Sequence, residues 1–290
     1  MIEVGGVPIE VGQPFEFWAL CAGLLIAYFW SIKKHGPLFV PAPGERAVSR
    51  AKIASFVGGV LALLFVSGSP WHDIGEQGLF FFHTTEHMVQ GFVVAPLLLM
   101  GLPDWMFRML VRQGPVRWIV TRLGKPLMAA IIFNAAFALL HWPVIVDAMI
   151  RNTAAHGASH FLWLAASIIM WLPIASPDHD LVRPLSTLSQ MGYLLVMTIL
   201  PTIPSSFLTF GEQPVYKIYT TFPRMWGLPA VEDMQIAGLI MKIGGGFLLW
   251  SVITVKFFRW AAAESRRELA GKSPDTPPSS PDAEPVRQLS

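Results

Sequence analysis

Seven long apolar segments separated by short polar loops dominate this 290-residue sequence. A helix needs about 20 mostly apolar residues to cross the hydrocarbon core of a bilayer, and each segment approaches or meets that length. The sequence therefore predicts an all-α fold, a polytopic membrane protein built as a bundle of seven transmembrane helices. The predicted spans are residues 15–32, 51–69, 79–102, 126–149, 157–176, 186–210 and 234–258.

Basic residues are distributed unequally between the two sets of loops. The loops after the first and third segments and the chain after the seventh carry many of them, including Lys33, Arg46, Arg108, Arg122 and Arg266. Loops rich in lysine and arginine stay in the cytoplasm. The sequence thus predicts a multi-pass protein of the plasma (inner) membrane, with its N-terminus outside and its C-terminus in the cytoplasm.

Composition divides the chain into two parts. After Trp260 the sequence becomes charged and then rich in proline and serine, and such a segment cannot bury enough apolar surface to fold. We therefore predict a seven-helix transmembrane domain at residues 1–258 and a disordered cytoplasmic tail at residues 259–290. Glu3 and Glu10, with no basic residue in the first 14 positions, do not fit a cleaved signal peptide, so the first segment is expected to stay as an anchor.

Charge and residue types argue against several functions. The formal net charge is +2 and the basic residues lie in loops, so no nucleic-acid partner is expected. Cys21 is the single cysteine, which leaves neither a disulfide nor a CxxC metal-binding motif. No constellation of serine, cysteine or carboxylate indicates hydrolysis, so no enzymatic activity is expected. The lipid bilayer is the partner that composition predicts.

Five histidines lie in or beside the apolar segments: His83, His87, His141, His156 and His160. An imidazole in hydrocarbon is costly without a partner, so each is a functional candidate. The third and fifth segments start outside and the fourth ends there, which places all five in the outer half of the membrane. His83 with His87, and His156 with His160, have the i, i+4 spacing that puts two imidazoles on one helix face. We predict that these five histidines form one metal site.

Other polar side chains accompany the histidines. Glu86 and Gln90 share a helix face with His83 and His87. A charged glutamate in a span costs roughly 2.5–3.5 kcal/mol, so a metal, a histidine or water is expected beside it. For this helix alone, a hydrogen-bond network that packs helices is an equal alternative. The residues predicted to support the site, as auxiliary ligands or as acceptors for imidazole N–H groups, are Glu86, Met88, Gln90, Asp147, Asp233 and His72.

The ligand types favour certain ions and leave two other functions open. Imidazole suits zinc, copper, iron and nickel, and thioether sulfur favours Cu(I), so the methionines near the outer side permit copper. One alternative is a b-type haem protein that carries electrons, with His87 and either His141 or His160 as axial ligands. Another is a metal or proton transporter that relays its cargo through Glu86 and the histidines.

Several short motifs occur in a fixed order along most of residues 50–258. They are His87-Met88-Val89-Gln90, Val94-Ala95-Pro96, His141-x-Pro143, His156-x-x-x-His160, Trp171-x-Pro173 and Glu232-Asp233-x-Gln235. Together they resemble the CtaG family of bacterial cytochrome c oxidase assembly factors, the kind linked to caa-type oxidases. The resemblance implies a seven-span protein that helps to assemble haem-copper oxidase and handles copper at the outer side. It also implies oxidase subunits and a periplasmic copper carrier as partners.

The sequence departs from this family at four positions. Gly91 stands where the family usually has a second histidine of the third span, and His83 supplies an i, i+4 partner one turn before His87 instead. Ser159 replaces a usual glutamate, while Met234 and Lys242 replace glutamine and tryptophan. The resulting hypothesis is a divergent member whose histidines take copper from an external carrier and release it to an oxidase subunit.

Overall fold

The computed structural model describes residues 1–12, 15–40, 45–112 and 114–271. These residues form an almost entirely helical protein with one two-stranded antiparallel hairpin. The helices are α1 (Phe15–His35), α2 (Arg50–Ser67), α3 (Pro70–Gln77), α4 (Phe80–Val89), α5 (Ala95–Gly101), α6 (Asp104–Leu110), α7 (Gly114–Leu123), α8 (Pro126–Leu140), α9 (Pro143–Ile150), α10 (Thr153–Ala175), α11 (Thr187–Ile199), α12 (Thr202–Thr209), α13 (Ala230–Leu239) and α14 (Gly245–Gly271). The strands are β1 (Ile2–Val4) and β2 (Val7–Ile9), and short 3₁₀ turns occupy Gly36–Phe39, Lys217–Thr221 and Met225–Gly227.

Two helix pairs continue through a wider, π-helical turn. Gln90–Val94 joins α4 to α5, and Ile240–Gly244 joins α13 to α14. A π turn inserts one residue into a helix and changes which side chains face its neighbours, and it often occurs at functional sites. The turn between α4 and α5 directly follows the stretch of the chain that carries His83 and His87.

Several helices are long and apolar enough to cross a membrane. Among the described residues there are five, at Phe17–Phe39, Arg50–Ser67, Thr153–Ala175, Thr187–Thr209 and Ala230–Glu268. Two bent pairs raise the number to seven if each counts as one span: Phe80–Gly101 with Asp104–Leu110, bent by 104°, and Gly114–Leu123 with Pro126–Leu140, bent by 94°. The protein is therefore a multi-pass helical membrane protein with five to seven candidate spans.

Two predicted boundaries differ from the structure. The segment predicted at 126–149 is divided, because α8 ends at Leu140 and α9 begins at Pro143. Trp142 has extended backbone angles there (φ −72°, ψ 128°), as the residue before a proline prefers. The predicted end of the domain at residue 258 lies inside α14, which continues to Gly271 through a run of good helix formers. Residues 272–290 of the predicted tail lie outside the described residues.

Helix packing gathers several helix ends on one side of the molecule. α10 packs on α8 and α5, and α4 packs on α3 and α13. The last turns of α2 and α8 and the first half of α10 consequently lie beside α4, at what we call the histidine end. The N-terminal hairpin is held there as well, since Gly12 N donates to Asp73 Oδ1 at 3.0 Å and Trp226 N donates to Gly5 O at 2.9 Å.

Candidate metal centre

Four of the five predicted histidines meet between α4 and α10. The rings of His83 and His87 have centroids 4.4 Å apart, and those of His156 and His160 are 4.7 Å apart. The two pairs face each other, with 4.8 Å between the ring centroids of His87 and His160. Each pair lies on one helix face because its members are four residues apart, and the packing of α4 near α10 brings the two faces together.

The potential ligands form two overlapping groups. One contains His72, Glu76, His156 and His160, and the other contains His83, His87 and His160. Within each group, one nitrogen or oxygen from every residue lies within 4.8 Å of the others. Ligands bound to one ion at about 2.0–2.2 Å lie within roughly 4 Å of each other. Small side-chain adjustments would therefore bring either group onto a single ion.

Glu76 is a residue of this cluster that the sequence analysis missed. It lies on α3, one turn after His72, and its Oε1 is 2.7 Å from His72 Nε2 and 3.1 Å from His156 Nε2. The signal that would have found it is the i, i+4 spacing of His72 and Glu76. A short polar segment between two spans predicts a loop, in which this spacing means little, whereas Ser69 and Pro70 start a short helix there.

The partner that the sequence required for Glu86 is His72. Glu86 is fully buried, and its Oε2 lies 2.9 Å from His72 Nδ1. His72 lies outside the candidate spans, on α3. Burial alone would lower the pKa of His72, but hydrogen bonds to Glu76 and Glu86 outweigh this effect and raise the pKa to about 10. Without an ion, a proton on His72 offsets the charge of the buried carboxylate, and an ion bound between His72 Nε2 and Glu76 would take the place of that proton.

His160 is positioned by contacts to one of its two nitrogens. Its Nδ1 lies 3.2 Å from Gln90 Nε2 and 3.5 Å from Glu86 Oε1. Its Nε2 lies 2.7 Å from His156 Nε2, on the side where the other histidines lie. In the tautomer whose Nδ1 proton faces Glu86 Oε1, the Nε2 lone pair is free for an ion, as in many metal-binding histidines, whereas the Gln90 amide group is a donor and favours the other tautomer. Gln90 and Glu86 thus both lie against His160.

Unpaired buried nitrogens provide a test of whether the cluster fits a metal. Among the described residues, His83 Nδ1 and His87 Nε2 are buried and have no hydrogen-bond partner. Leaving a buried polar atom unsatisfied costs about 1–3 kcal/mol, so each such atom requires an explanation. A metal ion bound by these two nitrogens would supply one, and imidazole-rich sites suit copper and zinc. The residues present therefore fit a metal.

His141 lies beside the cluster but outside both groups. Its ring centroid is 6.4 Å from that of His87, and its Nδ1 is 2.7 Å from Phe137 O. Because a backbone carbonyl can only accept, Nδ1 carries the proton and Nε2 has the free lone pair. Both histidines line the same small cavity, so His141 is placed to approach an ion held by the second group.

Three residues predicted to support the site have other contacts. Met88 packs in the main apolar core, and Asp147 Oδ1 accepts a hydrogen bond from Ile218 N at 3.3 Å in a neighbouring loop. Asp233 accepts from the backbone of Phe80 and Phe81 and so caps the start of α4. Both carboxylates accept hydrogen bonds from backbone N–H groups, so they stabilise the local fold of the histidine end and, among the described residues, form no hydrogen bond with the histidines. Lys242 has its Nζ 5.0 Å from the ring centroid of Phe210.

A cavity connects one of the two groups to the surroundings. It has a volume of about 420 Å³ and is lined by all four members of the first group, together with Gln90 and Phe17. The Glu76 side chain is 34% exposed, whereas that of Glu86 is fully buried. An ion arriving at the histidine end through this cavity would meet the first group before the second.

Gly91, where the resemblance implied a histidine, packs closely against α10. A Cβ atom at this position would lie 3.0 Å from Trp163 Cζ2 and 3.1 Å from Ser167 Oγ, both on α10. We expect Gly91→His to destabilise the protein by about 1–3 kcal/mol through overpacking, without raising its affinity for copper. Thermal unfolding and copper titration in detergent measure both effects. Gly91→Ala is the matched control with a smaller loss, and a stable Gly91→His protein with higher copper affinity would contradict this interpretation.

Fold and site together define a multi-pass helical membrane protein with a buried cluster of histidines and carboxylates at one end. The family described as cytochrome c oxidase caa3 assembly factor (Caa3_CtaG) matches residues 26–263, which include all five predicted histidines. The chain belongs to this family of cytochrome c oxidase assembly factors, and the resemblance seen in its motifs is confirmed. Comparisons with curated proteins and with solved structures give no match. Assembly factors act on the maturation of another enzyme, which is consistent with a non-catalytic role.

Proposed function

We propose that this assembly factor binds copper at the periplasmic side of the inner membrane and delivers it to a haem-copper oxidase subunit during maturation. One observation carries the proposal: two buried imidazole nitrogens, on His83 and His87, lie unpaired among the described residues inside a cluster of metal-ligand side chains. Family membership indicates which protein would receive the copper, since this family assembles a cytochrome c oxidase. Copper is here the cargo and not a resident cofactor.

The proposed orientation has seven spans, with both bent pairs crossing the membrane and the N-terminus outside. The span that begins with α4 at the histidine end leads at its other end into α6 and α7, where Arg108, Arg117 and Arg122 are located. Loops rich in arginine remain in the cytoplasm, so the opposite, histidine end faces the periplasm. A copper donor in the periplasm and the oxidase subunit would both approach this end.

The number of ligands favours transfer over permanent storage. The two groups hold six different residues, and His141 lies next to them. Structural metal sites are usually closed by four ligands, whereas surplus ligands allow one bond to form before another breaks. A cluster of this kind suits an ion that must be both accepted and released.

The first test is copper binding by the full-length protein purified in detergent. We expect about one copper ion per chain and no Soret band in the optical spectrum. His87→Gln is expected to weaken copper binding at least tenfold, the order of loss seen when a metal site is damaged. In cells, the same variant should lower the activity of the mature oxidase.

The matched control is His179→Gln, an exposed histidine of the loop after α10. This variant should bind copper and support oxidase maturation like the wild-type protein. A Soret band with redox-dependent visible bands would instead favour the haem-carrying alternative. Normal copper binding and normal maturation with His87→Gln would overturn the proposal.

A further inference from the structure

We propose that the two groups are successive positions of a single copper ion, with His160 as the ligand common to both. The loading position consists of His72, Glu76, His156 and His160, and the holding position consists of His83, His87 and His160. This inference rests on the proposed function and adds to it the route of the ion through the site.

The loading position is the one that an incoming ion can reach. Its four residues line the cavity of about 420 Å³ at the histidine end. It also contains Glu76, the partly exposed carboxylate of the cluster. A carboxylate with adjacent imidazoles can replace water or donor ligands on an arriving ion one at a time, and its negative charge attracts the cation.

The holding position is enclosed by aromatic side chains. The indole of Trp163 stacks on His87 at 14° with 5.6 Å between ring centroids, and Phe80 stacks on His83 at 25° and 5.9 Å. The nitrogens His83 Nδ1 and His87 Nε2 have no access to solvent and, in the described part of the chain, no hydrogen-bond partner. An ion bound there would be shielded from water and would satisfy both nitrogens.

His160 makes the two positions alternatives and not independent sites. Its Nδ1 contacts Gln90 and Glu86, while its Nε2 faces the other histidines and lies 2.7 Å from His156 Nε2, so Nε2 is the nitrogen that would bind an ion. One lone pair binds one ion at a time. Copper can therefore pass inward while it stays bound to His160, exchanging His72, Glu76 and His156 for His83 and His87. The ring centroids of His83 and His156 are 5.4 Å apart, which makes the required movement short.

Ligand chemistry sets the direction of this exchange for cuprous copper. Both positions offer three imidazoles, but in the loading position His72 is also paired with Glu76 and Glu86, and the fourth ligand is a hard carboxylate oxygen that suits Cu(I) less well. Cu(I) should therefore rest in the holding position and occupy the loading position only during uptake and release. The movement needs no change of oxidation state.

The test separates rates from affinity, using Cu(I) presented as a complex with a chromophoric chelator and mixed rapidly with the full-length protein. Glu76→Gln should slow both uptake and release about tenfold while the Kd stays within about twofold, because it changes the route and not the resting state. His83→Gln should raise the Kd about 10- to 100-fold, the scale of effect expected at a metal site, with uptake almost unchanged. The matched control is Glu212→Gln, an exposed carboxylate in the loop after α12, which should change neither quantity.

Two results would overturn the two-position route: a Glu76→Gln protein with unchanged rates, or a wild-type chain that holds two tightly bound copper ions at once. Either result leaves copper delivery itself intact, because the protein still binds copper. Failure of the proposed function has a different signature. In that case the wild-type protein binds no copper, or variants without copper still mature the oxidase.

Discussion

Replacing His160 with glutamine is expected to reduce copper binding to background and to prevent oxidase maturation. His160 belongs to both groups of ligands, so its loss removes one of three ligands from the holding position and one of four from the loading position. His87→Gln and Glu76→Gln each damage a single group. We therefore expect the His160→Gln variant to be more severely affected than either of them.

Copper titration of the purified variant, together with oxidase activity in membranes, measures this effect. Glutamine retains a polar group near Gln90 and Glu86, so the fold should persist, and circular dichroism with size-exclusion chromatography checks that it does. His179→Gln again serves as the control. A His160→Gln protein with the copper affinity of the wild type would show that the histidine cluster is a packing network and not a metal site.

The parts of the site that follow from helix periodicity could be predicted from the sequence. The pairs at positions 83 and 87 and at positions 156 and 160 are each fixed by one helical turn, and chain direction alone puts them at the same end. The structure brings these four rings together as the pattern implied. The buried position of Glu86 also followed, because a span offers a carboxylate no water.

The parts that depend on short or irregular segments could not be predicted. Glu76 reaches the cluster through α3, an eight-residue helix that is too short and too polar for a hydropathy argument. The break between α8 and α9 leaves His141 at the end of its helix, where its Nδ1 bonds to Phe137 O and its ring stays 6.4 Å from that of His87. Neither position is encoded by periodicity, since both depend on local turns and on tertiary packing.

The sequence also could not predict which groups the two aspartates Asp147 and Asp233 would bind. Asp147 and Asp233 lie near the predicted outer ends of helices, which placed both among the candidates to support the histidines. In the structure their oxygens face backbone N–H groups instead. Unpaired N–H groups at a helix start also attract a carboxylate, and a sequence does not reveal whether such a group or an imidazole lies closer.

Asp233→Ala is expected to destabilise the protein by about 3–5 kcal/mol, the range seen when one partner of a buried ion pair is removed. Asp233 is fully buried, and its Oδ2 accepts hydrogen bonds from Arg224 Nη2 and Phe80 N, each at 3.0 Å. Its Oδ1 accepts from Phe81 N at 3.0 Å. Leu79 precedes α4, and its apolar side chain cannot accept a hydrogen bond to cap the helix. The cap of α4 is thus supplied by α13, and its loss leaves two backbone N–H groups and Arg224 Nη2 without their acceptor.

Removal of the Asp233 carboxylate should also disturb the metal site, since His83 lies in the first turn of α4, the helix that Asp233 caps. Thermal unfolding in detergent measures the stability, and hydrogen exchange at Phe80 and Phe81 reports whether that first turn opens. Asp233→Asn is the matched control, because it retains an acceptor and should lose less. Copper affinity should fall in proportion to the opening of α4. An Asp233→Ala protein that melts like the wild type and keeps slow exchange at both amides would show that the first turn of α4 is held by apolar packing instead.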